Sequence, residues 1–243
     1  MKNTAIIIPT RLEARRLPNK PLLKINDLPM IIHVLNRAKE SKVGEVFVAT
    51  SDREIIDVVK KNGGQTIMTN KDHLSGSDRV YEAYLKELQE RADLIVNLQG
   101  DMPNIKTESI KKLVKFMRES QSDIGTLASD IKNKDEINNN NIVKVEVEEN
   151  LKSNNFIAAK DFFRIKKDLK SNKIYHHIGI YAFTNIALTQ YVKLSRSKLE
   201  IERNLEQMRA MENNMTIMVG LSKFNALGVD TEEDLNKVIK EMG

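Results

Sequence analysis

Hydrophobic residues along the chain alternate between a pattern typical of buried strands and one typical of amphipathic helices. Ile6 to Ile8 form a β-branched apolar run. Pro9 cannot donate a backbone hydrogen bond, so this strand is predicted to end at about Thr10. Similar runs predict strands at 46–50, 65–68, 94–98, 124–127, 178–183 and 216–219. Apolar residues at helical spacing predict helices across 31–38, 55–61, 80–88, 107–119 and 201–211, and a last helix that begins at Thr231.

This alternation of strands and helices indicates an α/β fold. It predicts a mostly parallel sheet with right-handed crossovers and with helices on both faces. The pattern changes after a polar turn predicted at 135–141. Valine alternates with charged residues across 143–147, which predicts a half-exposed antiparallel strand. We therefore expect a single domain spanning 1–243, with a small β lobe at about 143–175 and a mobile basic tip at 165–173.

The loop after the first strand concentrates positive charge. Its cations are Arg11, Arg15, Arg16 and Lys20. Pro18 and Pro21 restrict the backbone on both sides of Lys20, and a bend after a central strand is where open α/β sheets bind ligands. Arginine contacts phosphate in a bidentate way and lysine adds a point charge, so the loop favours a polyphosphate ligand. The alternative is solvated surface charge, since the glycine-poor loop matches neither a P-loop nor a dinucleotide fingerprint.

Composition narrows the classes of protein. A chain of 243 residues can form one large α/β domain with a substantial core. The absence of cysteine excludes disulfides and thiolate chemistry and suits a reducing compartment. The net charge of +5 is spread along the chain, and the 5% aromatic content without Trp disfavours nucleic-acid binding. No apolar run approaches the ~20 residues that cross a bilayer, so we expect a cytoplasmic protein without membrane insertion.

Polar motifs follow other predicted strands, and each has an ordinary structural alternative. Thr50 to Asp52 end the second strand, where they could read the edge of a base or cap the next helix. Ser75 to Arg79 read S-G-S-D-R, which is also a helix cap. Asn97 to Pro103 read N-L-Q-G-D-M-P and place Asp101 just beyond a buried strand, although such turns are common.

Three further motifs lie in the second half of the chain. His176 to Tyr181 read H-H-I-G-I-Y, and a histidine pair before a strand is more often structural than metal-binding. Leu199 to Arg209 carry L-E followed by L-E-Q-M-R, which also fits a salt-bridged helix. Gly228 to Thr231 read G-V-D-T, and Thr231 with Asp234 would form a capping pair.

Together these motifs resemble those of a known family. The order R-x(4)-R-L-P-x-K-P-L after an apolar strand resembles the nucleotide loop of sugar nucleotidyltransferases, and most closely that of 3-deoxy-manno-octulosonate (Kdo) cytidylyltransferases. The resemblance runs from residue 5 to about 239 with the motifs in the same order. The chain departs from the family at Asn19, where Gly is usual, at Arg203, where Glu is common, and at 156–163, which lacks S-R-x-x-I-P. The last two departures bear on which sugar acid is used.

The resemblance implies a fold, a reaction and a set of site residues. The fold is a Rossmann-like sheet of the sugar nucleotidyltransferase type, with an antiparallel lobe through which a homodimer forms. The reaction converts CTP and Kdo to CMP-Kdo and pyrophosphate with Mg²⁺, for lipopolysaccharide biosynthesis. The implied catalytic residues are Arg11, Arg16, Lys20 and Asp101, and the implied metal ligands are Asp101 and Asp230. The implied CTP-binding residues are Pro9, Thr10, Arg11, Arg16, Lys20, Thr50, Ser51, Asp52, Ser75, Gly76, Arg79 and Gln99. The implied sugar-binding residues are Gln99, His177, Tyr181, Glu206 and Gln207.

Two alternative functions remain open at this point. The first is a nucleotidyltransferase of the same fold that activates another sugar acid, such as a sialic acid. The second is a non-catalytic nucleotide-binding module. The pair of Asp101 and Asp230 argues against the second, because recognition of a base and phosphates alone does not require two carboxylates.

Overall fold

A computed structural model describes residues 3–13, 16–166 and 171–243. Arg15, one of the four loop cations, and 167–170 of the predicted basic tip lie outside the described residues. The strands are β1 Thr4–Pro9, β2 Lys24–Ile25, β3 Leu28–Pro29, β4 Glu45–Thr50, β5 Gln65–Met68, β6 Leu94–Leu98, β7 Ile124–Ser129, β8 Lys144–Val147, β9 Phe156–Phe163, β10 Ile174–Thr184 and β11 Ile217–Leu221. The helices are α1 Met30–Ser41, α2 Arg53–Lys61, α3 Gly76–Glu87, α4 Thr107–Glu119, α5 Lys134–Asn138, α6 Asn185–Lys193, α7 Lys198–Arg203, α8 Met208–Glu212 and α9 Glu232–Met242. None of these helices is both long and apolar enough to cross a membrane.

The main sheet is mixed, so the prediction of a mostly parallel sheet is not confirmed. Its nine strands follow the order β5-β4-β1-β6-β10-β7-β11-β9-β8. The first half is parallel, as predicted, from β5 to β6. The long strand β10 then inserts antiparallel to both β6 and β7. Because β8 pairs with β9 and also with the start of β10, the strands β10, β7, β11, β9 and β8 form a closed ring of pairings.

The predicted first strand lies at the centre of the parallel half. Ile7 packs in one hydrophobic cluster with residues of α3, whereas Ile6 and Ile8 pack in another with residues of α1 and α4. All three side chains are fully buried because helices cover both faces of the sheet. Each contributes about 1.5–3 kcal/mol by burial, which explains the uninterrupted apolar run.

The predicted β lobe is part of the main sheet. The predicted half-exposed strand at 143–147 is antiparallel, but all four residues of β8 are buried, so half-exposure was wrong. The alternating charged residues are buried because they find partners: Lys144 donates to backbone carbonyls, and Glu146 pairs with Lys166 at 2.9 Å. Helix α5 occupies the first part of the predicted polar turn at 135–141. The Asn133 side chain caps this helix.

The predictions for the turn at Asn19 and for the start of α9 are correct, but one predicted helix is wrong. Asn19 adopts a left-handed backbone with φ of 56°, as expected where the family has Gly. Thr231 and Asp234 form the predicted capping box of α9. The single helix predicted across 201–211 is wrong, because the left-handed Asn204 separates α7 from α8, and Ile201, which was predicted to be buried, is exposed.

Candidate active site

A cavity of about 560 Å³ lies at the carboxyl ends of β1 and β6. The cationic loop, the start of α3 and the turn after β6 form its walls. The cavity brings together most of the predicted nucleotide-site residues: Pro9, Thr10, Arg11, Arg16, Lys20, Ser75, Gly76, Arg79, Gln99, Asp101 and Asp230. The parallel strands therefore gather at one sheet edge side chains that are widely separated in the sequence.

The centre of this cavity is an ion cluster around Lys20. The Lys20 Nζ atom lies 2.7 Å from Asp101 Oδ2 and 3.1 Å from Asp230 Oδ1. Arg16 lies 2.8 Å from the other oxygen of Asp230. Burial opposes the charge on Lys20, yet the two carboxylates raise its pKa above the ordinary value. Burial also opposes the charge on Asp230, but Lys20 and then Arg16 lower the pKa of this carboxyl.

Backbone contacts hold the two aspartates together. The Val229 N–H donates to the Asp101 carbonyl at 2.9 Å and so joins the turn after β6 to the segment before α9. Gly100 permits close packing against β1, because a Cβ atom there would lie 3.1 Å from the Pro9 carbonyl oxygen. The predicted convergence of Asp101 and Asp230 on one sheet edge is therefore present.

The carboxylate pair suits a hard divalent cation only if other groups complete its coordination. Within the described residues, no cluster of three or more acidic or histidine side chains could hold a metal alone. Divalent ions such as Mg²⁺ usually take one or two carboxylates from the protein, while phosphates and water supply the remaining ligands. The convergent pair of Asp101 and Asp230 matches that number of carboxylates. The Lys20 ammonium contacts both carboxylates and offsets part of their negative charge.

The start of α3 forms the opposite wall. Ser75 caps the helix through a capping box with Asp78. Arg79 is only 3% exposed, and its guanidinium donates to Thr69 and to the Asn70 carbonyl. Burial, followed by the charge of Arg11, lowers the pKa of Arg79. Arg79 therefore lines the cavity and also holds the segment of Thr69 and Asn70 in place. The sequence motif did not indicate this second role.

Thr50, Ser51 and Asp52 are not among the residues that line this cavity. Thr50 is fully buried, and the Asp52 N–H donates to its hydroxyl. The Asp52 carboxylate accepts the Leu12 N–H at 2.9 Å and makes no side-chain cap to α2. These contacts stabilise the loop that follows β1, and the base-reading role of the three residues stays a prediction.

A second cavity of about 280 Å³ adjoins the first, and Gln99 and Asn204 line both. It contains all five predicted sugar-site residues. Strand β10 supplies His177 and Tyr181, and the segment between α7 and α8 supplies Glu206 and Gln207. The Gln99 side chain donates to Asn97 at 2.8 Å, which holds it at the boundary between the two cavities.

Several hydrogen-bonding side chains line the second cavity, and burial raises the pKa of its Glu206 carboxyl above the ordinary value. Burial, followed by the nearby His176, lowers the pKa of His177 to about 3, so its ring is neutral. The His177 Nε2 atom lies 3.1 Å from the Thr126 hydroxyl. The Tyr181 hydroxyl is buried and has no hydrogen-bond partner among the described residues. An unpartnered buried hydroxyl of this kind fits a site that a polar ligand completes.

Sequence reasoning missed Arg164, the cation that lines the second cavity in the part of the chain that the structure describes. Its guanidinium donates to the carbonyls of Asn140 and Asn141, each at 3.1 Å. Burial lowers the pKa of Arg164 most, and the charge of Asp230 opposes that shift. The available signal was a lone arginine directly after the aromatic end of β9.

The two departures from the family pattern that lie far apart in sequence contact each other. Arg203 forms an ion pair with Asp161, which belongs to the divergent 156–163 stretch. The same guanidinium donates to the Phe162 carbonyl at 2.7 Å. This contact therefore links the two departures and joins the end of α7 to β9.

The L-E and L-E-Q-M-R motifs meet through a buried ion pair. Arg209 donates to both oxygens of Glu200, at 2.9 and 2.8 Å. Both side chains are 3% exposed. Glu200 raises the pKa of Arg209 against the effect of burial. This pair fixes α8 against α7 and so positions the intervening segment that carries Glu206 and Gln207.

Solved structures define the class of protein to which this fold and site belong. The chain is similar to a CMP:2-keto-3-deoxy-manno-octonic acid synthetase complexed with CTP, with a TM-score of 0.89, 34% identity, and coverage of 99% of this chain and 98% of that one. A 4-diphosphocytidyl-2C-methyl-D-erythritol synthase from Anaerococcus prevotii shares the fold, with a TM-score of 0.67, 14% identity and coverage of 99% and 98%. The fold is that of an α/β nucleotidyltransferase.

Sequence relatives define the family. The family model described as Cytidylyltransferase matches residues 5–217. A 3-deoxy-manno-octulosonate cytidylyltransferase of Brucella canis is 43% identical over 235 residues, which cover 96% of this chain and 93% of that protein. The protein of the same name from Brucella anthropi is 42% identical, with coverage of 96% and 94%. The chain belongs to the cytidylyltransferase family.

Proposed function

We propose that the protein is a Kdo cytidylyltransferase that converts CTP and Kdo to CMP-Kdo and pyrophosphate. The observation that carries this proposal is the pair of adjoining cavities that share Gln99. The first combines cations with two convergent carboxylates, and the second combines hydrogen-bonding side chains with one arginine and the Glu206 carboxyl. This arrangement suits a nucleoside triphosphate beside a polyhydroxylated acid, and the names of the relatives supply the identities of both.

In the first cavity, Arg11, Arg16 and Lys20 bind the triphosphate and stabilise the charge that develops on the leaving pyrophosphate. The ammonium of Lys20 exchanges its carboxylate contacts for phosphate oxygens, which frees Asp101 and Asp230. A Mg²⁺ ion held by these two aspartates would supply charge neutralisation at the transferring phosphate. The protein groups orient both reactants, and no covalent enzyme intermediate is needed.

In the second cavity, Arg164 binds the carboxylate of the sugar acid. The unpartnered Tyr181 hydroxyl and the Gln207 amide bind sugar hydroxyls, and neutral His177 can accept or donate one hydrogen bond. The anomeric 2-hydroxyl then attacks the α-phosphorus of CTP in line. Gln99 contacts both reactants in this proposal, which its presence in the lining of both cavities supports.

The proposal extends to assembly and location. The homodimer predicted through the 143–175 lobe rests on the family resemblance alone, because β8 is buried within the sheet and leaves no apolar face uncovered. Light scattering at micromolar concentration should give twice the chain mass, and a monomer would contradict it. The predicted cytoplasmic location and role in lipopolysaccharide biosynthesis also belong to this proposal, and they predict that depleting the protein lowers cellular CMP-Kdo.

One experiment separates the candidate functions. Purified protein is incubated with Mg²⁺ and each of CTP, UTP, ATP and GTP, crossed with Kdo and a sialic acid, and pyrophosphate release is measured. We expect turnover with CTP and Kdo. If only the sialic acid is turned over, the second candidate, a nucleotidyltransferase for another sugar acid, is favoured. The contact between Arg203 and Asp161, two positions where the chain departs from the family pattern, motivates this candidate. Nucleotide binding without pyrophosphate release would indicate a non-catalytic module.

A further inference from the structure

A buried lysine lies outside the two cavities. Lys144, the first residue of β8, is 0% exposed. It forms no salt bridge with any acidic side chain in the described ranges. Its Nζ atom donates instead to the carbonyls of Asn139 at 2.8 Å, Ile142 at 2.9 Å and Arg164. Burial of an ammonium without a carboxylate partner is costly unless hydrogen bonds satisfy its donors, as these three carbonyls do.

The acceptors of Lys144 belong to the turn that also holds the Arg164 side chain. The turn between α5 and β8 presents four successive carbonyls, from Asn139 to Ile142. The outer two accept from Lys144, and the inner two accept from the Arg164 guanidinium. Because Lys144 also binds the carbonyl of Arg164, it holds this arginine through its backbone and through the turn. Val143, which follows the turn, lines the second cavity together with Arg164.

We propose that Lys144 is a positioning residue that fixes Arg164 against the sugar-acid cavity. An ammonium has three N–H donors, and three carbonyls surround it. Without it, three buried acceptors lose their donor, and the turn and Arg164 are no longer tied together. This inference rests on the proposed function, because Arg164 affects the reaction only as the partner of the sugar carboxylate.

The test is a double-mutant cycle on steady-state kinetics. Lys144→Met keeps an unbranched side chain but removes the donors, and it should raise KM for Kdo about tenfold to hundredfold, with KM for CTP changed less than about twofold. In an Arg164→Ala background the same change should have little further effect on KM for Kdo. Lys160→Met, at an exposed lysine on β9, is the matched control and should leave both constants unchanged.

A chemical variant keeps the test decisive if Lys144→Met does not fold. The chain contains no cysteine, so Lys144→Cys carries a single thiol that can be alkylated in denaturant before refolding. Aminoethylation restores an ammonium at the length of lysine, and propylation gives the same length without donors. Only the aminoethylated protein should recover the wild-type KM for Kdo. Recovery by propylation would show a packing role and overturn the inference.

A measurement without substrates separates this inference from the proposed function. Amide hydrogen exchange across 139–143 should quicken in Lys144→Met and not in Lys160→Met. If wild-type protein does not use Kdo, the proposed function fails while exchange still reports whether Lys144 orders the turn. If wild-type protein uses Kdo but Lys144→Met affects both KM values equally, or adds fully to Arg164→Ala, the positioning role is wrong and the function stands.

Discussion

Replacing Asp101 by asparagine removes one of the two carboxylates that contact Lys20 and leaves the side-chain shape unchanged. At 2.7 Å the attraction between Lys20 and Asp101 is about 6 kcal/mol for an effective dielectric constant of ~20. Most of this is offset by desolvation, and the Asp101 side chain is still 27% exposed. Lys20 also keeps Asp230. We therefore expect a loss of only about 1–2 kcal/mol in the free energy of unfolding, or ~2–8 °C in Tm.

The effect of Asp101→Asn on catalysis should be much larger. Loss of a group that stabilises transition-state charge costs about 2.7–4 kcal/mol, which corresponds to ~100-fold to 1,000-fold in kcat. The assay is pyrophosphate release with CTP, Kdo and Mg²⁺, paired with a thermal melt of the same sample. Asp57→Asn, at an exposed position on α2, makes the same change in charge and should alter neither measurement. A folded Asp101→Asn protein with near wild-type turnover would refute the reasoning.

The remaining predictions concern the second cavity, the buried ion pair and acid stability. Gln207→Ala should raise KM for Kdo more than KM for CTP in the same assay, and the reverse would place this residue on the nucleotide side. Glu200→Gln should lower the free energy of unfolding in urea by about 3–5 kcal/mol, because buried Arg209 loses the carboxylate that accepts two of its hydrogen bonds, and Asp78 at 3.8 Å is too distant to replace it. The exposed Glu202→Gln should change the free energy of unfolding little. Burial opposes the charge on Glu82, but contacts with Lys86, His73 and the Asn70 N–H lower its pKa to about 2. Because this folded pKa lies below the unfolded one, the stabilisation that Glu82 provides is complete above pH ~4.5 and is lost as the pH falls toward 2. Glu82→Gln should therefore flatten the acid side of the stability curve between these values, and an unchanged slope would contradict the assignment.

Much of the fold could be predicted because its signals are local. The predicted bounds of β5, β6 and α4 agree with the structure to the residue. Periodic burial and the turn chemistry at Asn19 and Thr231 depend on residues only a few positions apart. The cationic loop was recognised for the same reason, since Arg11, Arg16 and Lys20 are close in the sequence and follow an obvious strand.

Other features depend on how distant segments pair. Alternation at 143–147 indicated a half-exposed strand, because the sequence did not show that β9 and β10 would both pair with β8. The position of Arg164 beside the second cavity likewise depends on how distant elements pack. Local patterns describe which face of an element is apolar, but they do not specify which neighbour covers it.

By itself, the sequence determined the α/β class, the position of the cationic loop and the candidate carboxylates, because these follow from short-range periodicity and residue chemistry. Only the tertiary structure decided that the sheet is mixed and that Asp101 and Asp230, which lie 81 and 210 positions from Lys20, meet on one ammonium. It also decided that a second cavity shares Gln99 with the first. The physical reason is that strand pairing and burial bring distant residues together, and the distance between two residues along the chain does not indicate whether they are close in space.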